Sequence, residues 1–107
     1  MNVAPGTHRT PILVEVEREL AELIPGFLAN RVNDVASLRA LVSRNDLQSI
    51  CRIAHSMKGS GGGYGFDAIT RLGGEMEQAA RSGDTTKVLA LTDELEDFLV
   101  RVRPVFP

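Results

Sequence analysis

His55 is the residue of this chain whose type and setting lend themselves most directly to chemistry. It lies in RNDLQSICRIAHSMKGSGGGYG, residues 44–65, with Arg52 three positions before it, Lys58 three after and Gly59 four after. At the helical step of about 100° per residue, Leu47, Ile50, Ala54, Met57 and Gly61 share one sector, and His55 lies about 120° from its middle. Gln48, Cys51, Arg52, Lys58 and Gly59 fall near it on that open flank. A neutral imidazole keeps a lone pair on one ring nitrogen and acts as a nucleophile near pH 7. Lys58 offers a flexible point charge to a phosphoryl oxygen. Glycine inside a helix costs about 0.5–1 kcal/mol relative to alanine. At Gly59 that cost has a use, because a side chain there is expected to crowd the imidazole and block a partner or a phosphoryl group. The plainer reading of the same residues is a solvated helix face with a fraying end.

Other chemistries find less support. Cys51 and His55, four apart, make half a metal site, but the only other histidine is His8, near the N-terminus, and there is no second cysteine. No metal site is expected. Ser56 and Ser60 stand near a histidine without a third orienting group, which disfavours a hydrolase. Asp93, Glu94, Glu96 and Asp97 read as a solvated acidic face. No glycine-rich loop ending in Gly-Lys-Ser/Thr follows a strand, so no ATP site is expected.

The elements that must position His55 belong to one domain, since 107 residues fit a single core. The 12 basic and 14 acidic residues leave a formal charge of −2, too little basic character to draw the chain to nucleic acid or an anionic membrane. A single cysteine cannot close an internal disulfide, which fits a reducing, cytoplasmic setting. No apolar run approaches the roughly 18–20 residues of a membrane span, and residues 1–11 have neither the basic start nor the apolar core of a signal peptide.

Residues 1–11 carry two prolines and a glycine without periodicity and read as a flexible lead-in, leaving 12–107 as the domain. Residues 12–16 have strand character but no second strand pattern to pair with, so an extended segment is expected, followed by a short helix near 17–23. Pro25 suits the first turn of the next helix, in which Leu28, Val32, Val35, Leu38 and Val42 form the apolar stripe. Asn45 or Asp46 caps a second helix, which ends at Gly61-Gly62-Gly63. Phe66, Ile69, Leu72, Met76 and Ala79 mark a third, closed by Ser82-Gly83. Asp84 caps a fourth, with Val88, Leu91, Leu95, Phe98 and Val102 as its stripe and Pro104 as its stop. Four amphipathic segments joined by short turns predict an all-α, antiparallel up-and-down four-helix bundle with a short extra N-terminal helix. Each apolar stripe then has a place in the core, so a monomer is expected.

Ala54-His55-Ser56-Met57-Lys58-Gly59-Ser60, with Tyr64-Gly65 opening the next helix, resembles the signature of histidine-containing phosphotransfer (HPt) domains. His-x-x-Lys-Gly alone is a weak motif; chain length, the four-helix pattern, Ser60 and Gly65 strengthen it. Two features depart from the usual pattern: the Gly61-Gly62-Gly63 run is richer in glycine, and Tyr64 stands where smaller apolar residues are common. The resemblance implies that His55 is the phospho-acceptor, that Lys58 stabilises the phosphorylated imidazole, and that Gly59 gives access. It implies a phosphocarrier rather than an enzyme in its own right, passing a phosphoryl group to or from the aspartate of a response-regulator receiver domain. A sensor histidine kinase, hybrid or not, is the other implied partner. The chain itself is expected to bind no cofactor, the Mg2+ of the transfer belonging to the receiver. Gln48, Cys51, Arg52 and Ser56, together with Glu77, Gln78 and Arg81 of the next helix, are candidates to touch the imidazole or the partner. The rival reading is a helical-bundle adaptor that binds receivers without phosphotransfer.

Overall fold

The computed structural model describes residues 10–107. Most of the expected lead-in, and His8 with it, lies outside the described residues. The domain begins with strand β1 (Ile12–Glu15) and a 3-10 helix (Arg18–Leu23). Four helices follow: α1 (Ile24–Ser43), α2 (Leu47–Gly61), α3 (Asp67–Arg81) and α4 (Thr85–Arg101). Strand β2 (Val102–Val105) closes the chain.

The four helices form the expected bundle, and local chemistry explains their ends. Asp46 caps α2, its carboxylate accepting from the Ser49 amide at 3.2 Å, while Asn45 takes the left-handed turn at φ 53°. Asp84 caps α4 in the same way through the Lys87 amide at 3.0 Å. The core is built from Ile50, Ala54 and Met57 of α2, Ile69, Leu72 and Met76 of α3, and Val88 and Leu95 of α4, all buried. Each large aliphatic side chain so buried contributes about 1.5–3 kcal/mol. Phe66 stacks on Phe27 with centroids 5.5 Å apart and meets Phe98 edge-on at 6.5 Å. Tyr64 stacks on Phe27 at 4.4 Å, so the glycine-rich connection is pinned by an aromatic contact.

Two expectations need correction. The segment at 12–16 is not a lone extended stretch: β1 pairs in parallel with β2, Ile12 opposite Val102 and Glu15 opposite Val105. Helix α4 therefore ends at Arg101, before Pro104, and Val102 is buried as the first residue of a strand rather than the last of a helical stripe. Pro104 sits within β2, opposite Val14, in a two-stranded sheet where each strand is an edge and a missing N–H is tolerated.

The apolar stripe of α1 was also displaced. Ile24, Phe27, Val35, Leu38 and Leu41 are buried, whereas Val32 is 55% exposed and Leu28 and Val42 only half-buried. Arg31 occupies the position between Phe27 and Val35 on the buried face. Its guanidinium lies 4.9 Å from the Phe27 ring centroid, pairs with Asp34 at 2.7 Å and reaches Ser60 Oγ at 3.4 Å. A charged residue thus stands where apolar spacing looks for a hydrophobe. Among the described residues no helix is long and apolar enough to cross a membrane.

Candidate functional site

Helices α2 and α3 lie against each other almost backbone to backbone. A Cβ built on Gly73 would fall 2.5 Å from the Lys58 amide nitrogen and 2.8 Å from the Ala54 carbonyl oxygen. A Cβ on Gly61 would fall 2.7 Å from the Thr70 amide nitrogen. These two glycines set the helix separation, and at such a distance a side chain one turn past Gly73 can reach across to α2.

That side chain is Glu77. It is 5% exposed, and its Oε2 accepts from His55 Nδ1 at 3.0 Å and from Arg81 at 3.0 Å. Lys58 Nζ lies 3.7 Å from Oε1. Burial pushes the Glu77 carboxyl up, but the hydrogen bond from His55 and the charges of Arg81, His55 and Lys58 outweigh it and hold the group below the usual carboxylate range. An ionised carboxylate can only accept, so the proton of the shared bond resides on Nδ1. In the neutral imidazole the lone pair then belongs to Nε2, on the far side of the ring from Glu77.

His55 itself stands in the open, its side chain 73% exposed. A shallow cavity of about 390 Å³ beside it is lined by Gln48, Cys51, Arg52, His55, Glu77 and Arg81. Of these, Gln48 and Arg52 of α2 are exposed and Cys51 is half-buried, and Arg81 of α3 is exposed on the same cavity. Ser56 and Gln78 are exposed too but do not line this cavity. Lys58 approaches from the C-terminal side, its side chain passing Gly74, where a Cβ would sit 3.7 Å from Lys58 Cδ.

Gly59 behaves differently from its expectation. A Cβ there meets nothing within 4 Å, so a small side chain would not press on the imidazole. Only a longer one could obstruct the ring or an approaching partner. Gly73 escaped sequence reading altogether, although the Gly73-Gly74 pair inside an otherwise helical stripe was a visible sign of close approach.

Among the described residues, no three His, Cys, Asp or Glu side chains group closely enough to hold a metal ion. The arrangement offers an exposed imidazole with a fixed tautomer, one ammonium and two guanidinium groups nearby, and a concave approach. Such an arrangement is able to offer a ring nitrogen to an anionic electrophile.

Comparison with known proteins agrees with that chemistry. The family model described as the Hpt domain matches residues 15–104, nearly the whole of the described bundle. No characterised protein and no solved structure matches the chain significantly. The match runs from the last residue of β1 into β2, a range that holds His55, Lys58, Gly59 and Glu77, and Hpt domains are the phosphocarrier modules of two-component phosphorelays. This chain belongs to the Hpt, or histidine-containing phosphotransfer, domain family.

Proposed function

We propose that the chain is a phosphorelay intermediate that accepts a phosphoryl group on Nε2 of His55 and passes it to or from the aspartate of a receiver domain. The observation that carries this reading is the His55–Glu77 bond. It fixes the proton on Nδ1 and leaves Nε2 as the nucleophile on a ring that is 73% exposed. Lys58 lies one turn along and stabilises the oxygens of the bound phosphoryl group. Arg52 and Arg81, which line the cavity together with Gln48 and Cys51, receive the acidic rim of a receiver's active site. Ser56 and Gln78 extend that contact surface on either helix.

Transfer proceeds by attack of Nε2 on the phosphorus of an aspartyl phosphate, with the carboxylate leaving. It depends mainly on positioning and charge stabilisation, which a side chain on a rigid helix provides. The divalent ion and the acyl phosphate come with the receiver, and the chain holds no nucleotide or cofactor of its own. A sensor histidine kinase, by itself or through a receiver fused to it, is the upstream source of phosphate, and the domain works as a cytoplasmic monomer.

The test is incubation with a Mg2+-loaded, phosphorylated receiver. The expected product is an acid-labile, base-stable adduct on His55, absent in His55→Gln while the helical circular dichroism is unchanged. Labelling that survives in His55→Gln rejects the assignment. Receiver binding with no labelling of the wild-type protein supports the adaptor reading instead.

A further inference from the structure

The His55–Glu77 bond has a second consequence, which concerns the phosphorylated state and rests on His55 being the phospho-acceptor. We propose that Glu77 sets how readily phosphorylated His55 gives up its phosphoryl group, by holding a proton on Nδ1 of the phosphoimidazole, and that Arg81 tempers this hold.

The chemistry turns on the leaving group. When a carboxylate oxygen of the acceptor attacks phosphorus, an O–P bond forms and the Nε2–P bond breaks, its electron pair returning to Nε2. If Nδ1 carries a proton, the departing group is neutral imidazole. If it does not, the departing group is the imidazolate anion, a far poorer one. The proton on Nδ1 neither arrives nor leaves during the step, so the same hydrogen bond serves loading and discharge alike. With water as the acceptor, the same argument governs spontaneous hydrolysis.

Glu77 is built for that task. Its carboxylate is buried between α2 and α3, 3.0 Å from Nδ1, on the side of the ring away from Nε2, so it stays in place when the phosphoryl group is attached. An ionised acceptor stabilises a cationic N–H donor more strongly than a neutral amide oxygen does. Its anionic state is secured by the charges around it: Lys58 from α2 at 3.7 Å and Arg81 from α3 at 3.0 Å, with Arg52 and Cys51 of α2 on the wall of the same cavity. Arg81 and His55 share one oxygen, Oε2, so the guanidinium competes with Nδ1 for it. Removing Arg81 therefore strengthens the grip on Nδ1, whereas removing the charge of Glu77 weakens it. The two variants act in opposite directions on one quantity.

The experiment loads wild type, Glu77→Gln and Arg81→Ala with phosphoramidate, a receiver-independent phosphodonor, and follows loss of phosphohistidine by 31P NMR from pH 5 to 9. In wild type the lifetime shortens as pH falls and Nδ1 becomes protonated. Glu77→Gln is expected to displace this profile to lower pH by about one unit, which on the limb where the rate follows protonation means a lifetime about tenfold longer. Arg81→Ala is expected to displace it upward and shorten the lifetime. Gln is nearly isosteric with Glu, and Arg81 is a 62% exposed side chain, so the second variant decides the matter should the first not fold. A profile that neither substitution displaces overturns the proposal while leaving the phosphocarrier reading intact. Absence of any label on wild-type His55, from phosphoramidate and from a phosphorylated receiver alike, overturns both.

Discussion

Gly73 and Lys58 meet backbone to backbone: a Cβ on the glycine would fall 2.5 Å from the Lys58 amide nitrogen. Such contacts are too short for any side chain, and the atoms that would have to move are main-chain atoms of the helix that carries His55. Gly73→Ala is therefore expected to force α2 and α3 apart and destabilise the bundle by about 1–3 kcal/mol, as overpacked cores do. Urea denaturation reads the loss directly. Glu77 lies one turn beyond Gly73, so the same substitution should lengthen the His55–Glu77 bond and lower the rate of phosphoryl uptake in the fraction that remains folded. An unchanged denaturation midpoint in Gly73→Ala would contradict this account.

Gly59 supplies the contrast. It is an exposed helical glycine with open space around its Cβ position, so alanine costs nothing sterically and gains about 0.5–1 kcal/mol of helix stability. Gly59→Ala should raise the denaturation midpoint and leave uptake within a few-fold of wild type. Gly59→Gln places a long side chain on the histidine face, where it should slow transfer from a receiver while leaving the fold intact. Equal transfer rates in the two variants would remove the access role from this residue.

The bundle was legible because α2, α3 and α4 carry their apolar residues at clean three-four spacing, Asp46 and Asp84 cap the starts of α2 and α4, and glycines follow α2 and α3. What stayed hidden did so for physical reasons. Arg31 interrupts the buried face of α1 with a charge whose stem and guanidinium pack on Phe27, so the spacing pointed to Val32 instead. The β1–β2 pair joins residues separated by the whole bundle, and two four-residue strands have too little pattern to announce a partner that far along the chain. At the site, His55, Lys58 and Gly59 were readable from one helix. Glu77 was one of several polar residues on α3, and only the close approach at Gly73 distinguishes it from Gln78, which stays exposed.

Lys58 has a double position, 54% exposed yet 3.7 Å from Glu77 Oε1. A charge-assisted contact to a phosphoryl oxygen is worth about 1.5–3 kcal/mol where it is well formed, and solvent exposure reduces that. Lys58→Met is accordingly expected to slow phosphoryl transfer about tenfold, a change of about 1.4 kcal/mol in the barrier. The stem of methionine keeps the packing beside Gly74, so thermal stability should hold. Rapid-quench transfer assays with a phosphorylated receiver measure the rate; a rate equal to wild type would mean that the ammonium does not touch the transferring group.

Asp46 links the start of α2 to pH. The hydroxyl of Ser49, at 2.8 Å, and then its backbone amide, at 3.2 Å, donate to this carboxylate and hold it below the usual carboxylate range. A carboxyl whose folded value is depressed contributes stability that is fully present above its unfolded value, near 4, and is lost as pH falls through the folded value. Asp46→Asn still offers a side-chain oxygen to the Ser49 amide but cannot titrate. Wild type should thus be the more stable of the two at pH 7, and the gap should close as pH falls below about 4. Urea midpoints at pH 7, 5 and 3 measure the gap. A gap that stays constant across that range would show that the charge on Asp46 contributes nothing beyond its cap.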